Sequence, residues 1–95
     1  MPTAAEIISI IHKHQKELVK FQVKKLGLFG SFARGEAKEM RDIDFLVDFE
    51  EESFKNYMDL KFFLEDLFRR KVDLVMTDAI KPRLRNYILG EVIYA

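Results

Sequence analysis

Leu26-Gly27-Leu28-Phe29-Gly30-Ser31-Phe32-Ala33-Arg34-Gly35-Glu36, followed by Arg41-Asp42-Ile43-Asp44-Phe45-Leu46-Val47, is the stretch that decides how this chain folds. Each half holds an apolar run of strand length beside turn residues. The first runs into Gly30, where the missing side chain lets backbone approach a ligand closely. Ser31 then opens a turn or short helix whose unpaired N–H groups can face an anion, and adds a hydroxyl donor. The second half begins with carboxylates at i and i+2. In an extended strand these project to one face, while Ile43 turns the other way. Two like charges at that spacing repel and raise one another's pKa unless a cation shares them. Magnesium suits such a pair, because it takes a few hard carboxylate oxygens and leaves its other positions to water and nucleotide phosphates.

Ten residues separate Ser31 from Asp42. At compositional frequencies of roughly 5 to 7 per cent for Gly, Ser and Asp, the pattern Gly-Ser-x10-Asp-x-Asp arises by chance in about one chain in a thousand of this length. Singly, each half is weak. Gly30 also fits a plain turn glycine, Ser31 a plain N-cap, and an isolated Asp-x-Asp most often opens a solvated strand. The spacing reverses that preference, and the two halves together read as a metal-nucleotide site.

Outward from this stretch, the pattern predicts an α/β chain in the order helix, strand, strand, helix, strand, helix. Thr3 with Glu6 three residues later makes a capping box. Ile7, Ile8, Ile11, Leu18 and Val19 then recur at helical spacing to about Lys20. Val23 to Phe29 form a first strand and Asp42 to Phe49 a second, joined through the polar segment Gly35 to Met40 as an antiparallel pair. Ser53 is a good N-cap for a helix with an apolar stripe of Tyr57, Leu60, Phe63, Leu64, Leu67 and Phe68. Lys71 to Met76 is a short third strand carrying Asp73. Pro82 suits the first turn of a last helix, and Gly90 is expected to end it, leaving Val92-Ile93-Tyr94 as an edge strand open to pairing. His12 and His14 fall on the polar side of the first helix and read as surface residues rather than zinc ligands. Arg34 and Arg41 read as solvated charge, with phosphate contact as the alternative.

Composition sets the limits. Ninety-five residues, 48% hydrophobic, make one domain spanning residues 1–95. Lys and Arg total 16 and so do Asp and Glu, so no stable grip on nucleic acid is expected from general electrostatics. Cysteine is absent, which excludes disulfides and thiolate metal sites and fits a cytoplasmic location. The isoleucine-rich amino terminus is broken by Glu6, His12 and Lys13, well short of the roughly 20 apolar residues of a membrane span. Nine Phe and three Tyr exceed what the core stripes need. Phe54 and Phe62 fall off the main face of their helix, which suits docking to another protein or to a second copy.

The blocks Phe29-Gly30-Ser31-Phe32-Ala33-Arg34-Gly35-Glu36, Asp42-Ile43-Asp44-Phe45-Leu46-Val47 and Val72-Asp73-Leu74-Val75, with the tail Ile80 to Tyr94, resemble the minimal nucleotidyltransferases of the DNA polymerase beta superfamily. The resemblance covers nearly the whole chain. One departure is Arg41, where a Ser or Thr usually precedes the first carboxylate. The resemblance implies a palm-like fold: a mixed sheet of three to four strands flanked by helices. It also implies three metal ligands, Asp42, Asp44 and Asp73, holding two magnesium ions. Asp73 would further help deprotonate the acceptor hydroxyl, and Gly30 and Ser31 would hold the β- and γ-phosphates of ATP. Short members of this kind are commonly antitoxins paired with an all-helical HEPN toxin. The expected activity is therefore transfer of AMP from ATP to a hydroxyl of that toxin, a tyrosine. Read from its neighbours alone, Asp73 fits an exposed alternate residue of a half-buried strand equally well.

A different class of function stands beside this one: a binding-only antitoxin that occludes its toxin through an apolar surface. Intact Gly30, Ser31, Asp42, Asp44 and Asp73 favour the enzyme, since a pure binder has no reason to gather repelling carboxylates. Modification of a small molecule is weaker, because no second domain is present to form an acceptor pocket. Template-directed polymerisation lacks the room.

Overall fold

The computed structural model describes residues 1–95. The sequence folds into helices α1 (Ala4–Lys13), α2 (Gln15–Lys20), α3 (Gly30–Ala33), α4 (Phe54–Phe68) and α5 (Pro82–Glu91), and strands β1 (Val23–Phe29), β2 (Ile43–Phe49), β3 (Val72–Met76) and β4 (Ile93–Tyr94). The strands form one mixed sheet in the order β3-β2-β1-β4. β1 pairs antiparallel with β2 and with β4, while β2 and β3 run parallel. A parallel neighbour requires a crossover, and α4 supplies it.

The core lies mainly on one face. Ile43, Phe45 and Val47 of β2 point into a cluster with Ile7, Ile11, Leu18, Leu28, Leu60 and Leu64, so α1, α2 and α4 cover that side. The alternate β2 residue Leu46 points the other way, into a small cluster with Phe29, Ile80 and Ile88 under α5. Asp44 and Asp48 share that thinly covered second face by strand alternation. The site is thus placed on the less insulated side of the sheet.

Local chemistry explains the element ends. The capping box forms as the sequence predicts: Glu6 N–H donates to Thr3 Oγ1 at 3.1 Å, and Thr3 N–H to Glu6 Oε1 at 2.9 Å. Ser53 caps α4 through the Asn56 N–H at 3.0 Å. β3 is an edge strand, and α4 shields its outer polar groups. Val72 N–H donates to Glu65 Oε2 at 3.0 Å, and the Tyr57 hydroxyl donates to the Leu74 carbonyl at 2.6 Å. An edge satisfied in this way is a poor template for another strand.

Four expectations need correction. The first helix is not continuous to Lys20: it breaks at His14, whose ring nitrogen Nδ1 lies 2.8 Å from the Ile10 carbonyl. His14 is consequently half-buried, edge-on to Phe63 with ring centres 5.9 Å apart, not a surface residue. Val19, assigned to the apolar stripe, is 67% exposed, because at helical spacing it falls about 100° round from Leu18, which keeps the face of Ile7 and Ile11. Gly90 does not end α5. The helix runs one residue further, to Glu91, with Val92 as its cap donating its N–H to the Ile88 carbonyl. The carboxyl-terminal segment does form the expected edge strand: Tyr94 pairs with Gly27, and a Cβ on Gly27 would meet Val92 Cγ2 at 2.5 Å. No helix is long and apolar enough to cross a membrane.

Candidate active site

β1 delivers the chain to Gly30, and β2 returns it past Asp44. Phe29 and Asp44 are register partners, so the two halves of the decisive stretch meet at one end of the antiparallel pair. Gly30 has φ +75°, and a Cβ there would lie 2.1 Å from Asp44 Oδ2. Only glycine tolerates both that backbone conformation and that contact. Ser31 follows in the single turn of α3, half-buried, and lines an open cleft of about 310 Å³ with Met40, Arg41, Asp42 and Asp44.

Parallel pairing puts Asp73 of β3 directly beside Asp44 of β2. The Asp73 charge acts on Asp44 and disfavours its ionised form. Asp42 sits one residue before β2, exposed at the cleft mouth, and its charge also reaches Asp44. Asp44 responds strongly. Burial first, then the charges of Asp73 and Asp42, push its pKa up to about 6, against a smaller opposing pull from Arg34. An acidic group raised in this way marks a place where a cation would be welcome. Asp73 neighbours Asp44 across the sheet and Asp42 stands at the cleft mouth, but no group of three or more His, Cys, Asp or Glu side chains is gathered tightly enough to hold an ion as it stands. Their donors are all hard oxygens on an open cleft, the type magnesium takes while keeping water and phosphate in its shell.

Arg41, in place of the usual Ser or Thr, does not disrupt the turn. Its N–H donates to the Lys38 carbonyl at 3.0 Å, so the bend is closed by backbone. Arg34 is exposed, as its reading as solvated charge expects, and is ion-paired as well. Its Nη1 lies 3.0 and 3.2 Å from the two Glu91 oxygens and 3.4 Å from the Tyr87 hydroxyl, and its Nε 3.2 Å from Glu36 Oε1. Glu91 and then Glu36 raise its pKa above the ordinary arginine value. Glu91 itself escaped notice in the sequence. Nothing local distinguishes it, and its partners lie 57 and 61 residues away.

A more apolar hollow of about 390 Å³, lined by Glu52, Ser53, Phe54, Tyr57 and Met76, lies at the opposite end of β2 and β3. No strand–turn junction like that of Gly30 and Asp44 faces it.

The family model described as "Nucleotidyltransferase domain" matches residues 8–95. The protein adenylyltransferase MntA of Thermococcus cleftensis is 47% identical over 96 residues, covering 99% of this chain and 97% of the relative. A solved minimal nucleotidyltransferase superposes with a TM-score of 0.82 at 33% identity, covering 97% of this chain and 95% of the other. A chain of a toxin–antitoxin complex solved with AMP-PNP gives 0.72 at 21% identity over 90% of this chain and 69% of the other. A complex of tri-AMPylated Shewanella oneidensis HEPN toxin with its MNT antitoxin gives 0.57 at 18%, over 87% and 69%. The last two show the fold alone. With the family model spanning almost all of the sequence and a relative at 47% identity end to end, the chain belongs to the nucleotidyltransferase domain family, as an enzyme of its minimal form.

Proposed function

We propose that this protein is a magnesium-dependent protein adenylyltransferase that acts as an antitoxin in the cytoplasm, transferring AMP from ATP to a tyrosine hydroxyl of a cognate HEPN toxin. The observation that carries the proposal is the junction of β1, β2 and β3, where Gly30 and Ser31 abut Asp44 and Asp44 abuts Asp73. The Thermococcus relative is a protein adenylyltransferase, and one fold neighbour is an antitoxin bound to an AMPylated HEPN toxin.

In this reading Asp42, Asp44 and Asp73 would hold two magnesium ions. Bound there, magnesium supplies charge neutralisation at the attacking and leaving oxygens of an in-line displacement. The chain's own groups do the rest. The Ser31 hydroxyl and the Ser31 amide orient the β- and γ-phosphates, and Gly30, whose own N–H is held by Glu91, lets the backbone come close to them. The acceptor oxygen attacks the α-phosphorus, the bond to the β-phosphate oxygen breaks, and pyrophosphate departs. Asp73 is exposed on the edge strand, where an incoming hydroxyl can reach it, and it accepts the hydroxyl proton.

The competing reading, a binding-only antitoxin, draws on Phe54 and Phe62, which are 81% and 58% exposed on α4. One experiment separates the two. Incubation with labelled ATP, magnesium and the toxin is expected to label a toxin tyrosine, and the double change Asp42→Ala, Asp44→Ala to abolish labelling. Neutralisation of the toxin without any label would leave only the binding reading.

A further inference from the structure

Glu91 occupies the last turn of α5, where an acidic side chain faces the negative end of its own helix dipole. Local helix stability therefore does not account for it. Its carboxylate is turned inward, with 14% of the side chain exposed. One oxygen accepts the Gly30 N–H at 2.6 Å, and both lie within 3.2 Å of Arg34 Nη1. The two partners belong to the strand–turn junction that presents Ser31 and presses on Asp44.

We infer that Glu91 is the positioning residue of the nucleotide site: it pins the Gly30 amide so that the Gly30-Ser31 turn is set before ATP arrives, and it holds the Arg34 guanidinium beside that turn and off the carboxylates. The inference rests on the proposed nucleotidyl transfer.

Two features give it content. The Gly30 N–H is held by Glu91, and Asp44 occupies the space that a Cβ on Gly30 would need, so loosening the hold of Glu91 lets the Gly30-Ser31 turn shift relative to Asp44. Arg34 already acts on Asp44 at a distance. Released from Glu91, its charge is free to pair with Asp44 and compete with a cation for the same oxygens. Glu91 acts through Gly30 and Arg34 and touches no reacting atom.

Glu91→Gln keeps an oxygen for the Gly30 N–H and loses the charge that holds Arg34; Glu91→Ala loses both. A hydrogen bond to a charged group is worth more than a neutral one by roughly 1 kcal/mol, so KM for ATP is expected to rise about threefold to tenfold in Glu91→Gln and about tenfold or more in Glu91→Ala, with kcat nearly unchanged. Independently of turnover, the Gly30 amide proton of Glu91→Gln should shift in NMR spectra of the ATP-free protein and lose about tenfold in hydrogen-exchange protection. Glu91→Gln preserves side-chain shape and serves where Glu91→Ala does not fold. A fall in kcat or folded fraction at constant KM, or an unchanged Gly30 amide, would overturn the assignment and leave Glu91 a simple structural contact. Should the unaltered chain transfer nothing to the toxin, the proposed activity fails, while calorimetric titration of the same variants with magnesium and ATP still decides the role of Glu91.

Discussion

Asp44 holds its proton further up the pH scale than a free aspartate because it is partly removed from water between two other carboxylates. A carboxyl whose folded pKa is raised stabilises the fold through its bound proton below the unfolded value of 3.8. That contribution is lost as pH rises through about 6. Above that pH, without magnesium, the ionised Asp44 opposes folding. Asp44→Asn is therefore expected to make the metal-free chain more stable than the parent at pH 7 to 8 by about 1 kcal/mol, a value discounted because the group keeps contact with solvent. Near pH 4 the two should unfold alike. Denaturant titrations at the two pH values check this, and a parent more stable than Asp44→Asn at pH 8 in chelator would contradict it. The residues flanking the motif were less legible. Asp73 could be read as catalytic or as a bland exposed alternate residue, because its neighbour across the sheet is 29 positions earlier and only the parallel register pairs them. Glu91 had no local signal at all.

At the scale of elements, periodicity was a good guide wherever a single face is buried. The α4 stripe of Leu60 and Leu64, the β2 alternation of Ile43, Phe45 and Val47, and both N-caps stand as the sequence predicts. Periodicity fails where a specific side-chain bond overrides it. His14 bonds back to the Ile10 carbonyl where the first helix breaks. The α4–β3 seam is a second case of side chains completing backbone. Tyr57→Phe removes the donor to the Leu74 carbonyl and is expected to cost about 1 kcal/mol in stability. Its larger sign should be faster hydrogen exchange in β3 and α4 than in β1. Uniform exchange across the sheet would show that the hydroxyl does not secure this edge.

Over the whole molecule, the sheet divides the labour. One face carries a 13-residue apolar cluster under α1, α2 and α4; the other carries a cluster of four buried apolar residues and leaves room for Asp44. In a chain with equal numbers of acidic and basic residues, Asp44 sits partly buried within reach of the charges of Asp73 and Asp42, which is the feature that makes a small α/β scaffold a candidate cation and nucleotide site. Composition alone could not disclose that, since it averages over the surface; the Gly-Ser-x10-Asp-x-Asp spacing could. NMR titration of the Asp44 side-chain carboxyl carbon, with chelator and then with saturating magnesium, tests this most directly. Asp44 is expected to titrate near pH 6 without metal and to move below the ordinary aspartate value of 3.8 when magnesium is added. An ordinary titration near 3.8 that magnesium leaves untouched would contradict the account.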